Sequence, residues 1–182
     1  MTRQDLSKAK NPDLRASLAA MRRAAEMARS TAIQTNTEIV IVKDCKPVRV
    51  TAEELRETFN TNVIGPVLLT QALLPLLDAG KPARVINVSS QLGSVANMSD
   101  GWPGYGISKA ALNAATRKFA AALESRGISV NAASPGWVKT DMGTEDAPLS
   151  LEQGGHNIAR LVTDFPAGTT NKFLQEHGEY PW

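Results

Sequence analysis

The chain has 182 residues, 42% of them apolar and 21% charged, with a formal net charge of +2: ordinary globular composition, with length for one domain or one domain and a small appendage. The opening MTRQDLSKAK lacks the apolar core of a signal peptide, and the most apolar run, GPVLLTQALLPLL, is 13 residues long and too short to span a bilayer. A single cysteine, Cys45, excludes an internal disulfide and points to a reducing, cytoplasmic setting.

The charge is unevenly spread. Residues 1–50 hold ten Lys/Arg and five Asp/Glu, net +5, whereas residues 51–182 hold ten and thirteen, net −3. Such a step is expected of an appended segment of separate origin. Within it Leu14, Leu18, Met21, Ala25, Ala28 and Ala32 alternate spacings of four and three, which predicts a helix over 13–34 with Pro12 at its start. Arg15, Arg22 and Arg29 line one edge of that seam; a solvated face is the simpler reading, since no nucleic-acid motif accompanies them. The period then switches. The β-branched run from Ile39 to Val42, a polar turn over 43–46 and Val48 to Val50 predict a hairpin, with Pro47 at the start or edge of its second strand. Cys45 lies in that turn, with no activating group in the sequence around it.

Thr51 and Glu54 have the spacing of a capping box, opening a helix that runs to about Leu77 and contains Pro66 and Pro75. Pro66 has no amide hydrogen, so the carbonyl of Asn62 loses its helical partner; a bend is expected there, with a carbonyl free to hold a water. Residues 83–89 predict a strand, 91–104 a loop, and Tyr105 to Ser125 a helix closed by Gly127 in a left-handed cap. Ile128 to Ala133 is the next strand. Ser150 and Gln153 form a second capping box, opening a helix to about Thr163, and Thr170 to Leu174 is the last strand. Helix and strand alternate after residue 51, which predicts right-handed crossovers and a parallel sheet.

Tyr105 and Lys109 are four apart and share one helix face. An ammonium beside a phenol favours the phenolate, and a phenol tuned toward neutral pH can serve as acid or base for a carbonyl/alcohol pair. Ser90 ends a strand at the carboxyl edge, where open α/β sheets place their ligands, and its hydroxyl can donate to a substrate oxygen; a strand-end cap is the plainer role for a lone serine. His156 and His177 are too isolated for a metal site, so no metal is expected. Trp102 and Trp137 either line a substrate cleft or pack in the interior.

Taken in order, FNTNVIGP, VINVSS, YGISKAALN and VNAASPGWVKTDMG resemble the motif strings of the short-chain dehydrogenase/reductase family over about residues 50–182, and the ending PLSLEQGG with a terminal Trp is most similar to its carbonyl-reductase-like members. The resemblance implies a Rossmann-like sheet and NAD(P)H-dependent reduction of a ketone or aldehyde. It implies that Tyr105 protonates the substrate oxygen, that Lys109 binds the nicotinamide ribose and lowers the Tyr105 pKa, that Ser90 orients the carbonyl, and that Asn62 holds a relay water through its backbone. Pro135, Gly136, Val138 and Thr140 would cradle the nicotinamide.

One family feature is missing. No glycine occurs in residues 1–64, so the Gly-rich turn whose backbone amides approach the pyrophosphate has no counterpart. The expected fold is therefore α/β: a truncated Rossmann-like parallel sheet with flanking helices over residues 51–182, preceded by an appended helix and β-hairpin in residues 1–50. The remnant sheet would have three strands and one naked edge, where the hairpin at 38–50 is expected to pair. Two readings of function follow. One is a reductase of small carbonyl compounds that uses NADH or NADPH and holds it weakly or not at all. The other is a non-catalytic interaction protein, in which the basic N-terminal helix drives self-association or nucleic-acid contact and the reductase remnant is a scaffold. No membrane partner is expected, and nucleic acid is disfavoured.

Overall fold

The computed structural model describes residues 39–43, 46–80, 82–166, 168–176 and 178–182. The helix expected over 13–34, Cys45 and His177 lie outside them. Strands β1 (Ile39–Lys43) and β2 (Lys46–Val50) pair antiparallel, with Ile39 opposite Val50 and Lys43 opposite Lys46. This is the expected hairpin, but it forms a two-stranded sheet of its own and does not join the larger one. The expectation that it pairs at the naked edge is thus corrected. The reason is local: the next helix starts almost directly after β2, and Val50 is drawn to the helical side of the molecule. A Cβ built on Gly104 would lie 3.5 Å from Val50 Cγ1 and 3.4 Å from Leu55 Cδ2.

Thr51 caps helix α1 (Ala52–Phe59) through the expected box: the Glu54 N–H donates to Thr51 Oγ1 at 3.1 Å, and the Thr51 N–H to Glu54 Oε2 at 2.7 Å. Helix α1 runs through a π turn at Asn60–Ile64 into α2 (Gly65–Ala79). Pro66 explains the turn. It offers no N–H to residue 62, so the ladder widens and the Gly65 N–H reaches back to the Asn60 carbonyl. The bend expected at Pro66 takes this form. The continuous run Ala52–Ala79 is 28 residues, long and apolar enough by length and composition to cross a bilayer, where GPVLLTQALLPLL read by itself is not.

Strands β3 (Ala83–Val88), β4 (Ile128–Ala133) and β5 (Phe173–Gln175) are parallel, and β6 (Gly178–Glu179) turns back antiparallel on β5, giving the order β3-β4-β5-β6. The sheet therefore has four strands rather than three. Its β5 starts later than expected, because Asn131 ties down the approach: its Nδ2 donates to the Thr169 carbonyl at 2.7 Å, and its Oδ1 accepts from the Lys172 N–H at 3.0 Å. Helices α3 (Pro103–Leu123) and α4 (Leu151–Thr163) complete the layers. All six β4 residues are buried, as befits a parallel strand covered on both faces. The two-residue period splits the core. Ala83, Val85, Ile128 and Val130 pack with Leu74 and Leu77 of α2 and Phe119, Ala120 and Leu123 of α3, while Ile86, Ala133 and Leu174 pack with Ile158 and Phe165 on the α4 side. Among the described residues no strand covers the outer edge of β3.

The second capping box holds α4 in the same way: the Gln153 N–H donates to Ser150 Oγ at 3.2 Å and the Ser150 N–H to Gln153 Oε1 at 2.8 Å. Ser150→Ala removes one half of it. It is expected to cost about 1 kcal/mol, seen as a lower urea midpoint at unchanged slope.

Candidate active site

Strand β3 ends at Val88, and the chain turns at Ser90 into a short 3₁₀ segment, Gln91–Gly93, that Ser90 caps by accepting from the Leu92 N–H at 3.2 Å. The strand-end cap and the site role assigned to Ser90 are thus compatible, because the same hydroxyl also lies near enough to the Tyr105 side chain to pull its pKa down. That contact depends on a close backbone approach. A Cβ on Gly93 would fall 2.7 Å from the Lys109 carbonyl carbon and 2.8 Å from Lys109 Cβ, and one on Gly106 would fall 3.0 Å from the Leu92 carbonyl oxygen. Only glycine at 93 lets the serine turn lie this close to α3.

Polar side chains stitch the same seam. Asn113 Nδ2 donates to the Gly93 carbonyl at 3.0 Å, Ser89 Oγ to the Lys109 carbonyl at 3.5 Å, and Asn87 Nδ2 to Thr116 Oγ1 at 2.8 Å. Lys109 is only 8% exposed, and its Nζ donates to the Val88 carbonyl at 2.8 Å while lying 5.5 Å from the centroid of the Tyr105 ring. Asn62 meets α3 from the π turn: its Nδ2 donates to Ser108 Oγ at 3.0 Å, and that hydroxyl donates to the Tyr105 carbonyl at 2.7 Å. The sequence reading missed Gly93, Ser108, Asn113 and Thr116. The legible signal was Lys109, Asn113 and Thr116 at helical spacing, three polar residues on a buried helix face.

The residues expected to form one site divide between two concavities. Ser90 and Tyr105 front a cleft of about 550 Å³, with Pro135, Gly136, Val138 and Thr140 on the loop after β4 also lining it. Asn62 and Lys109 instead line a groove of about 620 Å³ between α2 and the outer edge of β3. The β4 loop is well held: Ser134 N–H donates to the Leu174 carbonyl at 2.8 Å, Gly136 N–H to Ser134 Oγ at 3.3 Å, and Asn157 Nδ2 to the Pro135 carbonyl at 3.2 Å. Trp102 and Trp137 both line the cleft and are half exposed rather than packed in the interior. His156 is exposed on α4, and among the described residues no three His, Cys, Asp or Glu side chains gather as a metal would need.

The electrostatics differ from the sequence expectation. Burial pushes the Tyr105 phenol above its ordinary value, and the nearby Ser90 hydroxyl pulls it partly back. Burial pulls the Lys109 ammonium down. The depression of Tyr105 by Lys109 is absent here, because the ammonium is aimed at Val88 and desolvation of the phenolate dominates. Tyr105 therefore holds its proton at neutral pH. Since the folded phenol binds that proton more tightly than the unfolded one, its contribution to stability falls as pH rises above about 10.

Two outcomes are expected. The chain has two tyrosines, so the phenolate absorbance of the parent minus that of Tyr105→Phe isolates one titration; it should lie above about 10 and move higher still in Ser90→Ala. Gly93→Ala should cost about 1–3 kcal/mol in urea unfolding, because a methyl is forced onto the Lys109 backbone.

A family model described as short chain dehydrogenase matches residues 16–148, beginning within the first fifty residues and so crossing the boundary expected at residue 50. C-signal of Myxococcus xanthus is 37% identical over 131 residues, covering 71% of this chain and 79% of that protein. Short-chain dehydrogenase anuI of Penicillium roqueforti is 35% identical over 124 residues, covering 62% of this chain and 49% of that protein. Among solved structures, the carbonyl reductase Sniffer of D. melanogaster superposes with a TM-score of 0.68 at 30% identity, covering 85% of this chain and 71% of that one.

Proposed function

The chain belongs to the short-chain dehydrogenase family, and on that premise we propose that it reduces a small ketone or aldehyde with NADH or NADPH, Tyr105 giving the proton. The observation that carries this reading is that the Ser90 and Tyr105 side chains front one cleft with the β4 loop. In this reading Ser90 Oγ and Tyr105 Oη both donate to the substrate carbonyl oxygen, which fixes its position and draws electron density from the carbon. The raised phenol pKa keeps Tyr105 in the donor form, and its proton passes to the oxygen as the alcohol forms. Lys109 Nζ lies 5.5 Å from the centroid of the ring, held by the Val88 carbonyl; Asn62 holds the Tyr105 turn of α3 through Ser108. Solvent reprotonates Tyr105 through the open cleft.

The dinucleotide fits at one end. Pro135, Gly136, Val138 and Thr140 offer a wall for the nicotinamide ring, and the Lys109 ammonium has three N–H donors, one of them on Val88, to turn toward a ribose hydroxyl. When bound, the reduced cofactor supplies the hydride that the carbonyl carbon accepts. At the other end, residues 1–64 contain no glycine from which a phosphate turn could be built. Binding is therefore proposed to be weak.

Fluorescence titration of the purified chain with NADH and NADPH should give a dissociation constant weaker than about 1 mM, at most about 4 kcal/mol of binding. Micromolar affinity would overturn the weak-binding proposal. At cofactor concentrations above that constant, carbonyl-dependent loss of reduced-nicotinamide absorbance should fall about a hundred- to ten-thousandfold in Tyr105→Phe. Undiminished turnover in that variant would remove Tyr105 from the mechanism.

A further inference from the structure

Of the residues that line the Ser90–Tyr105 cleft, none is charged. Its apolar lining includes Leu92, Trp102, Trp137 and Met142, and the last three are each just over half exposed, at 53%, 52% and 53%. Trp137 is fixed in orientation, since its indole Nε1 donates to the Gly143 carbonyl at 2.8 Å. Trp102 sits at the start of α3 with φ 49° and ψ 57°, in the left-handed region. A bulky aromatic residue there is strained, and such strain persists where the surroundings over-determine it, often at ligand sites. Glycine would be the unstrained choice for that backbone. The fold instead holds an indole at the mouth of the cleft, three residues before Tyr105.

We propose that Trp102 and Trp137 are the specificity-determining residues of this cleft, and that its substrate is a neutral, flat, aromatic or conjugated carbonyl compound lying against the two indoles. This rests on the reductase reading above and names the substrate class for that same site. Three observations select the class. Uncharged walls give a carboxylate or phosphate no counter-charge and would strip its water. Two half-exposed indoles, one locked by its own hydrogen bond, match the face of a ring better than a flexible chain. The carbonyl oxygen has its donors, Ser90 and Tyr105, at one end of the same cleft.

The test uses the full chain without cofactor. Three tryptophans give three indole N–H signals in ¹⁵N–¹H spectra, and Trp182, stacked on Phe173 with centroids 5.6 Å apart, serves as the internal control. Titration with 2-acetylnaphthalene should shift the Trp102 and Trp137 signals along one common isotherm and leave Trp182 still. The charged 2-naphthoate and the non-planar cyclohexyl methyl ketone should each bind at least about tenfold more weakly. Trp102→Gly should weaken 2-acetylnaphthalene by about tenfold while leaving the thermal midpoint unchanged or raised, because it relieves the left-handed strain. A purely structural Trp102 would give the reverse, a lowered midpoint with unaltered binding, and would overturn the proposal. So would equal binding of 2-naphthoate, or a shift confined to Trp182. Failure of the two readings is separable: a chain that binds the ketone at both indoles yet never reduces it sinks the reductase function alone, whereas turnover of a carbonyl compound with both indole signals unmoved sinks the aromatic assignment alone.

Discussion

The site depends on one close contact, the approach of the Ser90–Gly93 turn to the backbone of α3. At Gly93 there is no room for a Cβ beside Lys109, so the distance between the turn and α3 is set by main chain rather than by side-chain packing. That spacing brings Ser90 and Tyr105 to one cleft and carries Lys109 Nζ to the Val88 carbonyl. Backbone contacts of this kind tolerate little adjustment, because there is no flexible side chain to absorb a displacement. The hydrogen bonds at Asn113, Ser89 and Thr116 then make the arrangement specific, since a slipped register would leave these buried polar groups without partners.

The edge of β3, which no strand among the described residues covers, shapes the groove beside it. An edge strand presents unpaired backbone groups, and here the one at Val88 is met by the Lys109 ammonium. A lysine expected to face a ribose thus also serves the strand that ends beneath it. Alongside lies α2, whose Leu69 and Leu73, 60% and 38% exposed, line the groove between helix and edge together with Leu77. The small, alanine-rich core on the α3 side and the thinner cluster toward α4 leave much of the apolar surface of the described residues outside the interior.

Charge and strain are concentrated where the chemistry is proposed. Tyr105 and Lys109 are the partly buried titratable groups pushed toward their neutral forms, the phenol upward and the ammonium downward, by one cause, loss of water. Trp102 adds a left-handed backbone three residues away. By contrast the exposed ion pairs, such as Arg160 with Asp164 at 3.1 Å, lie on solvated surface where such pairs contribute little.

The sequence by itself determined most of the described elements and named the candidate site residues. The two capping boxes mark helix starts because each is a contact between residues three apart, and the β-branched hairpin, the buried β4 run and the Tyr105–Lys109 spacing are likewise local. The motif strings that place the chain in its family are short and contiguous, so they survive reading without a structure. Tertiary structure alone decided which of those residues share a cavity: Ser90 and Tyr105 face one cleft, Asn62 and Lys109 the neighbouring groove. It also decided that the hairpin stands apart from β3, that Pro66 widens the helix into a π turn, and that Gly93 and Asn113 clamp the seam. Each of these is fixed by how closely two backbones distant in sequence, or a helix and its neighbours, can approach, and by how much water that approach removes from Tyr105 and Lys109. Residue spacing along a chain carries neither quantity.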